Sequence, residues 1–68
     1  MNYVWHNEQV IEVEDIWDIQ QKYPRDYLFT RNRYKPYGFF SGNGHWIPVE
    51  VSKVPVEFRT ALLLLGVT

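Results

Sequence analysis

Apolar residues recur along this chain with two different periods. Tyr3 to His6 and Gln9 to Val13 are rich in aromatic and β-branched residues, the composition of strands. Asn7-Glu8 between them reads as a two-residue turn, because Asn is at home in tight turns. Asp15 then stands where a helix N-cap should, ahead of Ile16, Ile19 and Tyr23 at helical spacing, with Asp18 and Lys22 as an i,i+4 pair on the other side. Pro24 ends this helix by excluding Tyr23 from the α region. A rival period of two runs through Ile11, Val13, Trp17 and Ile19, with Asp15 out of place. The helix is the reading adopted.

Tyr27 to Thr30 is a short strand by composition, and Arg31-Asn32-Arg33 its polar exit. Gly42-Asn43-Gly44 follows as a three-residue hairpin loop, its residues suited to positive φ. The strands it joins are Tyr37 to Ser41 and His45 to Val51. If Ser41 faces His45, then Phe40 faces Trp46, Phe39 faces Ile47 and Tyr37 faces Val49. Side chains alternate across a sheet, so Tyr37, Phe39, Ile47, Val49 and Val51 share one face, the expected core, and Phe40, Trp46 and Pro48 the other. Pro48 cannot donate to a ladder, which places it at an edge or a bulge. The last element runs from Pro55, at a first helical position, to a terminating Gly66, with Phe58, Ala61, Leu62 and Leu65 on its buried side. Val56 and Leu63 fall on a second line and Leu64 at its margin, so the helix is apolar around most of its circumference.

These elements predict an α+β fold. A small antiparallel sheet of about four or five short strands is packed by the C-terminal helix and a short second helix, with residues 1–68 as one compact domain. At 68 residues a core is only just sufficient. Without cysteine, neither disulfides nor thiolate metal sites can reinforce it. Three Trp, five Tyr and four Phe supply the alternative, a dense aromatic core. The N-terminus lacks the basic start and apolar run of a signal peptide, and the run from Ala61 to Leu65 is far short of the roughly 20 residues that cross a bilayer. A cytoplasmic protein with no membrane partner is expected.

Charge is unevenly distributed. Glu8, Glu12, Glu14, Asp15 and Asp18 precede the first basic residue, whereas Lys22, Arg25, Arg31, Arg33 and Lys35 crowd the next stretch against Asp26 alone. Two such segments either neutralise each other in the fold or read different partners. Interleaving of Arg31, Arg33 and Lys35 with Tyr34 and other rings up to Phe40 is the mixture that binds single-stranded nucleic acid, cations for phosphates and flat rings for bases. Against this, the chain carries a formal net charge of −1, and nucleic-acid affinity is dominated by phosphate neutralisation.

Catalytic chemistry finds no complete set of roles. Ser41 and His45 could approach across the hairpin turn, but no third group orients the ring. Glu12 and Glu14 alternate along a strand toward water. His6, His45, Glu8 and Glu12 fall short of the four His or Cys ligands of structural zinc, and Gly42-x-Gly44 lacks the helix and Lys-Ser/Thr pair of a phosphate loop. No enzyme activity, metal or cofactor is expected.

The pair Phe40 and Trp46, beside Pro48, is left with two readings. Uncovered, it is an aromatic binding patch; covered by the C-terminal helix, it is a second core layer. The function expected from these surfaces is that of a small non-enzymatic interaction protein. It would act by self-association, as a homodimer, or on a regulatory or inhibitory target, through Phe40, Trp46, Pro48, Val56, Leu63 and Leu64. The alternative is a single-stranded nucleic-acid-binding module using Arg31, Arg33, Tyr34 and Lys35.

Overall fold

The computed structural model describes residues 1–31 and 33–68. Asn32, in the middle of the expected polar exit, lies outside the described residues. Asn7 and Glu8 both adopt positive φ, 52° and 60°, the conformation that lets a two-residue turn follow the twist of its strands. It sets β1 (Asn2–His6) against β2 (Gln9–Val13), with His6 opposite Gln9. Asp15 accepts the Trp17 N–H at 2.8 Å and opens α1 (Ile16–Lys22). The helix ends ahead of Tyr23 and Pro24, and it buries Ile19 while leaving Trp17 exposed. The period-two reading would have put those two residues on one side.

β3 (Tyr27–Thr30) pairs with β1 rather than with β2, so α1 connects strands that lie on either side of β1. β4 (Tyr37–Phe40) and β5 (Trp46–Pro48) complete an antiparallel five-stranded sheet in the order β2-β1-β3-β4-β5. With α1 and the C-terminal α2 (Val56–Leu64) this is a small α+β fold. The expected hairpin register holds: Phe40 lies opposite Trp46 and Phe39 opposite Ile47. Ser41 N–H donates to the His45 carbonyl, and Val49 N–H to that of Tyr37. Of the three loop residues only Gly44 has positive φ, at 80°. β5 stops at Pro48, short of the expected Val51, which instead begins a 3-10 turn at Val51–Lys53. Hydrogen-bonded pairs alternate along an antiparallel ladder, so Pro48, next to the bonded Val49, turns its nitrogen to the open edge, where no N–H is needed.

Each face of the sheet carries a different helix. Under α1, Val4, Leu28 and Phe40 pack with Ile19, flanked by Val13, Ile16, Tyr23 and Trp46. Under α2, Tyr3, Phe29 and Tyr37 pack with Val54, Phe58, Leu62 and Val67. Phe58 stacks on Trp5 at 5.5 Å and meets the edge of Tyr37 at 6.1 Å. This corrects the expected core face of the β4–β5 hairpin. Tyr37 is buried, but Ile47 and Val51 on the same side are exposed, because α2 packs toward β2 and leaves the β5 end uncovered.

The end of α2 brings a second correction. Gly66 (φ 78°) reverses the chain, its N–H donating to the Leu63 carbonyl and that of Val67 to the Leu62 carbonyl. These are the two bonds of a Schellman cap, which brings the residue after the glycine against the last helical turn. Val67 is therefore buried beside Leu62, in the place that helical spacing assigns to Leu65, and Leu65 is 61% exposed. The Arg31 guanidinium donates to the Val67 carbonyl and ties down the tail.

Burial raises the pKa of the Tyr37 phenol above its ordinary 10.0, partly offset by the positive charge of Arg59. A raised pKa means that the folded state holds this proton more tightly than the unfolded chain does. Its contribution to stability is complete below about pH 10 and is lost as pH rises through the folded value. Thermal unfolding across the alkaline range should show a shallower loss of stability above pH 10 for Tyr37→Phe than for the parent. Identical slopes would mean that the phenol does not govern alkaline unfolding.

Candidate functional site

α2 has nine residues and buries only two of them, Phe58 and Leu62. The rest of its apolar surface faces outward: Val56 is 58% exposed, Leu63 63% and Leu64 83%. Leu65 and the exposed Met1 extend it around a recess of about 220 Å³ that Tyr3, Arg31 and Val67 complete. Beyond α2 on the same side of the sheet lies the uncovered β5 end, with Ile47 and Val51 exposed and Phe39 partly so. The expected Val56, Leu63 and Leu64 thus belong to a broader surface. Helical spacing hid Leu65, although Gly66 was the available signal that the chain turns there. Ile47 and Val51 were missed because alternation identifies a face without saying how far a helix covers it.

Of the Phe40, Trp46 and Pro48 patch, Phe40 is buried beneath α1. It belongs to a second core layer, formed by α1 rather than by the C-terminal helix. Trp46 packs edge-on against it at 5.3 Å and lies over Gly38, where a Cβ would come within 2.6 Å of the indole. The outer side of the indole is not bare: the Arg33 guanidinium sits 5.2 Å from the ring centroid, a cation–π distance. Trp46, Pro48, Arg33, Tyr34 and Lys35 together line a recess of about 350 Å³. The structure therefore joins Trp46 and Pro48 of one expected site to Arg33, Tyr34 and Lys35 of the other. Arg31 is separated from this cluster by its bond to the Val67 carbonyl. Lys35 Nζ stands 3.4 Å from Glu50 Oε1, an ion pair exposed on both sides, and pairs of this kind are weak.

Ser41 and His6 have structural roles. Ser41 Oγ accepts the backbone N–H groups of Asn43 and His45 at 3.3 and 3.2 Å, bracing the hairpin turn. His6 Nδ1 lies 2.6 Å from Asp26 Oδ2, with the imidazole against the edge of Tyr23, so it ties β1 to the segment after α1. Among the described residues no group of three or more His, Cys, Asp or Glu could hold a metal ion, and no helix is long and apolar enough to cross a membrane.

Fold and surfaces define a small α+β protein with a helix on each sheet face, an apolar helix surface, and a basic aromatic recess at one edge. No protein-family model, curated protein or solved structure matches the chain.

Proposed function

We propose that this chain is a protein-interaction module that acts as a two-fold homodimer, joined through the outer side of α2. One observation carries the reading: α2 presents Val56, Leu63 and Leu64 to solvent, while the same side of the sheet is left open at Ile47 and Val51. In a closed two-fold contact each patch meets its counterpart reciprocally. The outer side of one α2 then covers the open β5 end of the other copy, and the two helices form a single layer between two sheets. Each aliphatic side chain fully withdrawn from water contributes about 1.5–3 kcal/mol. Val56, Leu63 and Leu64 from both copies together are of the size needed to offset an association cost of about 4–15 kcal/mol.

Sedimentation velocity over a concentration series tests this. The parent should sediment as a dimer. Leu63→Glu and Ile47→Glu should each give a folded monomer, because the two positions lie on opposite sides of one reciprocal contact. A parent that stays monomeric at high micromolar concentration sinks the proposal, and a Leu63→Glu variant that still dimerises moves the interface elsewhere.

A further inference from the structure

The recess at the β5 edge lies on the other side of that strand from Ile47, since Trp46 and Pro48 alternate with it. It adjoins the dimer surface, because Tyr34 and Lys35 also line a second recess, of about 360 Å³, with Tyr37, Val49 and Val51. At about 350 Å³ it falls in the lower part of the range of roughly 300–1,000 Å³ typical of small-group binding sites. Two flat rings line it. Trp46 packs against Phe40 and Gly38, whereas Tyr34 is 98% exposed and so contributes almost nothing to the core.

Cations flank the β4–β5 hairpin. Arg25 lies at the hairpin-turn end, where a Cβ on Gly42 would be 3.4 Å from its guanidinium and its own N–H donates to the Phe40 carbonyl. Arg33 lies over Trp46, and Lys35 sits at the far end beside Glu50. A guanidinium stacked on a ring keeps its N–H edge free to bond an anion. The exposed Lys35–Glu50 pair gives up little if Lys35 turns to a phosphate instead.

We propose that this recess binds single-stranded nucleic acid, with a base on the exposed ring of Tyr34 and the neighbouring phosphates on Lys35 and on Arg33, whose guanidinium stays stacked on Trp46. An exposed ring beside spaced cations matches a chain that alternates flat bases with regularly spaced negative charges. An acidic peptide would use the cations and leave Tyr34 without a role.

The test is fluorescence anisotropy of a short labelled oligodeoxythymidine at low ionic strength, repeated at rising salt, with a duplex of equal length and poly-glutamate as competitors. The oligomer should bind with strong salt dependence. Tyr34→Ala should weaken binding roughly 5- to 150-fold, the effect of losing one stacked base, with an unchanged melting curve because the ring lies outside the core. Arg33→Gln and Lys35→Gln should each reduce the slope of log K against log salt by about 0.7, the value for one single-strand phosphate contact, while Arg31→Gln leaves it unchanged. Absence of salt-sensitive binding by the parent overturns the proposal. So does competition by duplex or poly-glutamate as effective as by the unlabelled oligomer, or a Tyr34→Ala variant that binds as tightly as the parent.

Discussion

Phe58→Ala is expected to lower the stability of the fold by about 3–5 kcal/mol, the largest loss of any single truncation. Phe58 is fully buried, stacks on Trp5 and meets Tyr37 edge-on, so the truncation empties the centre of the layer between α2 and the sheet. Replacing a buried Phe by Ala costs about 3–5 kcal/mol. Marginal stability of about 0.05–0.15 kcal/mol per residue gives a chain of 68 residues about 3–10 kcal/mol in total, so the truncation removes a large share of it. The loss should be larger than any from the outer side of α2, where Leu63→Ala removes a side chain already mostly in water. Circular dichroism with chemical denaturation decides it, and a cooperative transition near that of the parent would show that α2 does not close the core as described.

Gly38→Ala is the second large effect, and it arises from addition rather than removal. A Cβ at Gly38 would lie 2.5 Å from the Ile47 carbonyl oxygen and 2.6 and 2.8 Å from two atoms of the Trp46 indole. The ring could move aside. The carbonyl cannot, because it belongs to the backbone of the strand paired with β4. Overpacking of this kind costs about 1–3 kcal/mol. Stability should fall by that amount, and near-UV dichroism should report a displaced Trp46. Trp46→Ala in the same background should relieve only the ring part of the clash, which a double-mutant cycle measures as a coupling between the two positions. An unperturbed Gly38→Ala protein would mean that β4 and β5 are not held at this separation. The recess is tied to this packing, since a shifted indole also moves the platform beneath Arg33.

Features governed by a few neighbouring residues were legible in the chain. Asn7-Glu8 and Gly42-Asn43-Gly44 announced their hairpins, and the second also defined the register that places Phe40 opposite Trp46. Asp15 and Pro24 bounded α1, and Gly66 closed α2. The candidate site was legible only in pieces, because its members come from distant parts of the sequence. Arg33, Tyr34 and Lys35 were visible as a basic aromatic run and Trp46 with Pro48 as a patch, but nothing local joined them or removed Arg31 and Phe40.

By itself the sequence determined where the chain turns, which segments are strand or helix, and which side chains share a strand face. Those properties follow from backbone conformations and hydrogen bonds spanning a few residues. Tertiary structure decided the rest. Pairing of β3 with β1 put α1 across one face of the sheet and buried Phe40. The reach of α2 left Ile47 and Val51 in water, and the reversal at Gly66 exchanged Leu65 for Val67 in the core. Each of these depends on which surfaces meet between segments far apart in the chain. Hydrophobic burial is non-directional: an apolar pattern states that a face is to be covered, while the packed fold determines by what and how far.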